Sequence, residues 1–204
     1  MYTPNIYKDE DPESIRTFLK ENSFGILVNQ THGKFCATHI PIELETNAEG
    51  KEILEGHISK LNPQAEGFAE NDQVLAIFSG PHSYISSSWY DHENVPTWNY
   101  IAVHVYGRIK IVDYETGVEQ LKKLVDKYES NSANPVRVED LSVKTMREAR
   151  GIFAFEIEID EIQATRKLSQ NRDDHNYKNI ISELEKTENP QAIAVANEMS
   201  KCRK

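Results

Sequence analysis

Residues 80–107, GPHSYISSSWYDHENVPTWNYIAVHVYG, hold both tryptophans of the chain, four of its nine tyrosines and three of its seven histidines. Trp89, Tyr90, Trp98, Tyr100 and Tyr106 offer flat faces with polar edges. Such side chains bury a planar heterocycle while indole and phenol groups find partners at its rim. The same residue types also seal a barrel end or a contact between subunits. Composition alone leans slightly toward that second use.

Two polar segments add a different chemistry. In HISKLNPQ, His57, Ser59 and Lys60 stand where a strand gives way to a helical turn. A helix start there presents free N–H groups to an anion. In RKLSQNR, Arg166, Lys167 and Arg172 surround Ser169, Gln170 and Asn171. Lys and Arg with hydroxyl support neutralise a phosphate well. The alternative for each cation is a solvated surface charge. Two such clusters beside an aromatic wall favour a planar ligand that carries a phosphate.

Other chemistries find less support. The seven histidines are scattered, and Cys36 and His39 point to opposite faces of a strand, so no metal site is expected. Ser86, Ser87 and Ser88 lie in a β-favouring run and read as sheet hydroxyls, not as a nucleophile. There is no GxGxxG, GxxxxGK[ST], HExxH or GxSxG. No residue stands out as a catalytic acid or base.

The elements that must position these groups are mostly strands. Asp11-Pro12-Glu13 starts a helix carrying Ile15, Phe18 and Leu19. FGILVNQ, KFCATHIPIEL and KEILEGHI form an antiparallel meander through turns at THGK and NAEG. QVLAIFSG and HSYISSSWY read as two strands flanking Gly80-Pro81. Val95 to Val112 is a long strand, bulged at Gly107, with Ile101, Val103 and Val105 on one face. Asp113 caps a helix whose stripe is Val118, Leu121, Leu124, Val125 and Tyr128. VEDLSVKTMREAR reads as a further helix, GIFAFEIEIDEIQATRKL as one long strand or a pair. DDHNYKNIISELEKT and NPQAIAVANEMSK are two terminal helices. The order predicts a β-barrel with helical decoration, divided into a body of residues 1–172 and a helical extension of 173–204.

The chain has 204 residues and a formal net charge of −10. From Arg166 to the end there are eight Lys/Arg against six Asp/Glu, a net of +2, which leaves −12 on the rest. That balance disfavours a broad grip on nucleic acid. No apolar run approaches bilayer length, the start is unlike a secretory signal, and two distant cysteines suit a reducing compartment. A cytoplasmic protein with no membrane partner is expected.

MYTPNIYKDEDPE, ATHIPIEL, GHISKLNPQ, GPHSYISSSWY, VPTWNYIAVHVYGRI and KLSQNR occur in an order that resembles the PaiB family over almost the whole chain. Those proteins are FMN-binding-type negative transcriptional regulators with a split-barrel fold, shared with pyridoxamine-phosphate-oxidase-like flavoproteins. The resemblance implies a mainly β split barrel of FMN-binding type and a homodimer with FMN at the subunit interface. His57, Ser59 and Lys60 would hold the flavin phosphate. Thr38 and His39 would run past the isoalloxazine, and Trp89 and Trp98 would form the opposite wall or the dimer seam. Lys167, Gln170, Asn171 and Arg172 would be counterparts of an Arg-Leu-His-Asp-Arg segment of the oxidases. This sequence departs there, with Ser169-Gln170-Asn171 in place of His-Asp. The function implied is repression; the charge distribution would put any DNA contact on the basic tail of Lys201, Arg203 and Lys204 and the terminal helices, or on a partner protein. A flavin-dependent oxidoreductase is the alternative.

Overall fold

The computed structural model of the protein describes residues 1–203; Lys204, assigned above to a basic tail, lies outside them. The strands are β1 (Lys8–Asp9), β2 (Phe24–Thr31), β3 (Lys34–Thr46), β4 (Glu52–Ser59), β5 (Gln73–Ile85), β6 (Thr97–Ile111) and β7 (Ile152–Lys167). The α-helices are α1 (Pro12–Glu21), α2 (Gly67–Glu70), α3 (Tyr114–Glu129), α4 (Val143–Met146), α5 (Asp174–Glu185) and α6 (Pro190–Cys202). The sheet runs β1-β7-β4-β3-β2-β5-β6, and β6 also pairs with β7. Among the described residues no helix is long and apolar enough to cross a membrane.

Local chemistry explains most boundaries. The Asp11 carboxylate accepts from Glu13 N–H at 3.1 Å and opens α1. His32 and Gly33 both take left-handed backbone, φ 51° and 72°, as a two-residue hairpin between β2 and β3 requires. On β6, Ile101, Val103 and Val105 are buried, while Tyr100, Ala102, His104 and Tyr106 are half-buried.

Four expectations need correction. β5 is one strand through Gly80-Pro81, not two. It pairs with β2 only through Leu75–Ile77, so Pro81, with no N–H to donate, falls outside that ladder. Ser86–Ser88 are not sheet hydroxyls: the strand stops at Ile85, and Ser86 Oγ accepts from Ser88 N–H at 3.2 Å to open a 3-10 turn. Gly107 is not bulged, since burial alternates without a break from Asn99 to Ile109. β6 runs on, and a Cβ at Gly107 would lie 2.2 Å from the Glu158 carbonyl oxygen, so glycine lets two backbones meet. The helix expected over VEDLSVKTMREAR breaks into α4 and two 3-10 turns, because Ser142 Oγ takes Thr145 N–H at 3.2 Å and caps afresh.

The residues pack as two compact units. The first comprises 1–18, 79–104 and the chain from 163 onward. In it β1 pairs with the end of β7 through Lys8–Thr165 and Asp9–Ala164. Its core includes Ile85, Ile101, Leu168, Tyr177, Ile180, Leu184, Val195 and Met199. The second comprises 19–78 and 105–162 and holds the β5-β2-β3-β4-β7 antiparallel ladder. Leu27, Leu54, Phe78, Phe155 and Ile157 are its most buried side chains.

In the first unit, α5 is capped by Asp173, whose carboxylate accepts from Asn176 N–H at 3.0 Å and from the Asn176 side chain at 2.8 Å. Those donors hold its pKa at about 2, below the ordinary 3.8. A depressed carboxylate stabilises the fold above its unfolded pKa and loses that contribution as pH falls. The stability difference between wild type and Asp173→Asn, measured by urea unfolding, will therefore shrink from about pH 4 down to about pH 2. Parallel pH profiles would refute the assignment.

Candidate functional site

The sequence-predicted residues fall into two groups, one in each unit. Thr38, His39, His57, Ser59 and Lys60 belong to the second unit. Trp89, Trp98, Lys167, Gln170, Asn171 and Arg172 belong to the first.

In the second unit the turn after β4 is held by one amide. Gln64 is only 2% exposed. Its Nε2–H donates to the Leu27 carbonyl at 2.9 Å, and its Oε1 accepts from Thr38 Oγ1–H. Its backbone carbonyl accepts from the Asn29 side chain at 3.2 Å and the Thr31 hydroxyl at 3.3 Å. Behind it, a Cβ at Gly67 would sit 2.3 Å from the Gln30 carbonyl oxygen, so the turn can press this close only with glycine there.

The cradle of free N–H groups expected at this turn does not form. Lys60 N–H donates to the Gly151 carbonyl at 2.8 Å, and Asn62 N–H to the Ser59 carbonyl at 3.0 Å. Leu61 N–H donates to Ser59 Oγ at 3.2 Å, and Gln64 N–H to Asn62 Oδ1 at 3.0 Å. A 3-10 turn capped by Asn62 consumes the donors that a longer helix would leave open. An anion here meets side chains instead. Ser59 and Lys60 are exposed, and the Lys60 ammonium lies 5.3 Å from the Phe153 ring centroid. Thr38 is engaged, since it donates to Gln64 and accepts from Asn62 Nδ2 at 2.9 Å. His39 is exposed, its ring 6.4 Å from that of Phe24. His57 is half-buried, and burial lowers its pKa, which keeps the ring neutral. It lines a cleft with Glu55 and Gln120, whereas Lys60 borders a hollow lined by Asp113, Ile152 and Phe153.

In the first unit the cations of RKLSQNR separate by role. Arg166 is neutralised by Asp9 at 2.8 Å and Glu198 at 2.7 Å. Lys167 and Arg172 meet no carboxylate within ion-pair distance among the described residues. The Lys167 ammonium donates to Thr97 Oγ1 at 2.5 Å and lies 5.9 Å from the Tyr7 ring centroid. Burial and then the charge of Arg172 push its pKa down. The Arg172 guanidinium lies 5.0 Å over the Tyr90 ring. The Tyr90 hydroxyl is buried with no hydrogen bond inside the protein. Two repelling cations without a carboxylate partner are an arrangement that an anion completes.

Their neighbours hold the loop. Gln170 accepts from Leu168 N–H at 2.7 Å and donates to the Arg166 carbonyl, so its amide serves its own turn. Ser169, at φ 60°, donates to Asn99 Oδ1 at 3.1 Å. Asn171 is exposed. The Trp89 carbonyl accepts from Asn179 at 2.7 Å. Trp98 is 53% exposed, with His82 and Tyr84 rings at 6.1 and 6.2 Å. Tyr7 and Thr97 escaped the sequence reading. Thr97 had a signal, standing beside Trp98; Tyr7, 160 positions from Lys167, had none.

Residues 1–161 match the family described as "Putative FMN-binding domain". The chain is 44% identical over 200 residues to protease synthase and sporulation protein PAI 2 of Bacillus subtilis (strain 168), covering 98% of this chain and 96% of that protein. It is 26% identical over 239 residues to uncharacterized protein AN0679 of Emericella nidulans, covering 97% and 95%. Among solved structures it is similar to the FAD and heme binding protein from Mycobacterium smegmatis, with TM-score 0.63, 15% identity and coverage of 84% and 78%. The flavocytochrome Anf3 from Azotobacter vinelandii gives TM-score 0.63, 16% identity and coverage of 84% and 75%. At such identity these two likenesses concern the fold alone.

Gln64→Leu removes one donor and one acceptor while keeping the volume, and strands the Leu27 carbonyl and the Thr38 hydroxyl. It will cost about 2–3 kcal/mol of unfolding free energy in urea titrations; an unchanged midpoint would contradict the role given to this amide. Arg172→Gln will move the Lys167 titration upward, as read by NMR of 13C-methylated lysines; a static titration would disprove their coupling.

Proposed function

The chain belongs to the PaiB family of FMN-binding-type proteins, and from that premise we propose that it is a homodimeric, FMN-binding negative regulator of transcription. The observation that carries the flavin reading is the pair Lys167 and Arg172, two cations without a carboxylate partner, Arg172 lying over the Tyr90 ring. In a chain of net charge −10, an uncompensated pair needs an anion. FMN carries a dianionic phosphate and a planar ring. Lys167 and Arg172, in the first unit, suit the phosphate, since neither meets a carboxylate among the described residues. Ser59 and Lys60, exposed in the second unit, are a second candidate for the same dianion, which a loss of FMN preference in Lys60→Ala would favour. FMN, when bound, supplies redox chemistry that no side chain here has. The flavin-binding-type body is read as residues 1–172 and the helical extension as 173–204, although α5 and α6 pack in the same unit as residues 1–18 and 79–104. The exposed group His82, Tyr84 and Trp98 supports a contact with a second copy, since aromatic residues are enriched at such seams.

Regulation through a partner protein fits the charges better than direct DNA contact by the tail. Arg203 bonds Asp174 at 2.9 Å and the Gln170 carbonyl at 2.7 Å, and its guanidinium lies 4.2 Å from the Tyr177 ring centroid. Lys201 bonds Glu198 at 2.7 Å. One observation favours the oxidoreductase reading as well. The lowered pKa of Lys167 makes it a readier proton donor than an ordinary lysine.

FMN and riboflavin titrations followed by flavin fluorescence test the proposal. Wild type will bind FMN more tightly than riboflavin, and Lys167→Ala and Arg172→Ala will each remove most of that preference. Lys167→Ala and Arg172→Ala will each weaken FMN by roughly tenfold to a hundredfold, the range of a charged hydrogen bond. Equal binding of both ligands by all proteins, or none, would overturn the flavin reading. Transcripts released in a deletion strain and still released with Lys167→Ala support flavin-linked repression; an unchanged transcript profile on deletion would defeat the regulator reading.

A further inference from the structure

A second cleft lies in the second unit, between α3 and the face of β3 and β4. The stripe expected on α3 is only half-buried, and Tyr128 is 56% exposed. The residues that α3 buries are Gly117 and Gln120. Gln120 is 8% exposed and lines a cleft of about 60 Å³. Neither its side-chain oxygen nor its NH2 group makes a hydrogen bond inside the protein. A buried amide with both ends open is unfavourable, and a leucine would fill the same volume without that cost.

The surrounding charges are already fixed. From α3, Lys123 holds Glu55 of β4 at 3.1 Å and approaches Glu45 of β3 to 4.0 Å. Lys127 holds Glu43 of β3 at 2.6 Å. Three carboxylates against two ammonium groups leave a surplus of one negative charge, which repels an anion. A cation would have to compete with Lys123 for Glu55. His57 adds a neutral ring, because burial disfavours its charged form. The walls between these groups are apolar, including Pro41, Leu121 and Leu124.

A neutral head with one donor and one acceptor in a plane meets all these conditions. We propose that the cleft beneath α3 binds small molecules through a primary carboxamide, which pairs with the Gln120 amide by two hydrogen bonds. The ligand carbonyl accepts from Gln120 Nε2–H, and the ligand NH2 donates to Gln120 Oε1. Its second N–H is left for the Glu55 carboxylate, and its apolar body lies on the leucines. The inference stands apart from the flavin reading, because Gln120 belongs to neither cationic cluster and His57 faces this cleft, away from the hollow that Lys60 borders.

Benzamide, benzoate and benzamidine are isosteric probes that differ in charge and donor pattern. Titrated into the 15N-labelled full chain, benzamide will saturate in the millimolar range or below and perturb amides of α3 and β4. Benzoate and benzamidine will bind at least tenfold more weakly. Gln120→Leu will lower benzamide affinity at least tenfold, keep or raise the melting temperature, and leave FMN titration unchanged. Gln120→Glu, which keeps the shape and loses the donor, will also lose benzamide. Absence of benzamide saturation in wild type, equal affinity for the three probes, or undiminished binding by Gln120→Leu would each overturn the proposal.

Discussion

One buried amide fixes the ground on which the second unit's cationic residues stand. Gln64 joins the turn after β4 to the backbone of β2 and to a side chain of β3. A peptide-like group removed from water must keep its hydrogen bonds, so the turn has one register in which all of them are made. That register leaves Ser59 and Lys60 on the surface and turns the backbone donors inward. Positions that could have formed a general anion nest become a rigid support for two side chains.

Charge is organised by the same economy in both units. An acidic protein has carboxylates in plenty, and they quench Arg166, Arg203, Lys123 and Lys127. Each quenched cation performs mechanical work: Arg166 ties β1 to α6, and Lys123 and Lys127 tie α3 to β3 and β4. Lys167 and Arg172 stand out against that background because a partner is what nearly every neighbour has. Local excess, not net charge, marks where a negatively charged ligand fits.

Much of the fold was readable from residues. Strand alternation on β6, the Asp11 and Asp113 caps and the His32-Gly33 turn follow from short-range rules, and the structure has them. What escaped were outcomes decided by single side-chain hydrogen bonds, some local and some distant. Ser86 and Ser142 redirected the backbone because a hydroxyl took an N–H two or three residues on. The α3 stripe resembled a core face, yet the helix stands off at Gln120. At the candidate site the residue types were legible and their employment was not. Composition could not tell that Arg166 faces Asp9 from 157 positions away, or that Gln170 serves its own loop.

The first unit is assembled from three stretches of chain, the last beginning at residue 163, whereas the second is complete by residue 162. On a ribosome the second unit can therefore close while the first still lacks α5, α6 and the segment carrying Lys167 and Arg172. At about 5–20 residues per second, translation of residues 163–203 occupies roughly 2–8 s. Throughout that interval the opening helix and the tryptophan segment wait for partners not yet synthesised, so any anion-holding pair on Lys167 and Arg172 is among the last features of the newborn molecule to mature.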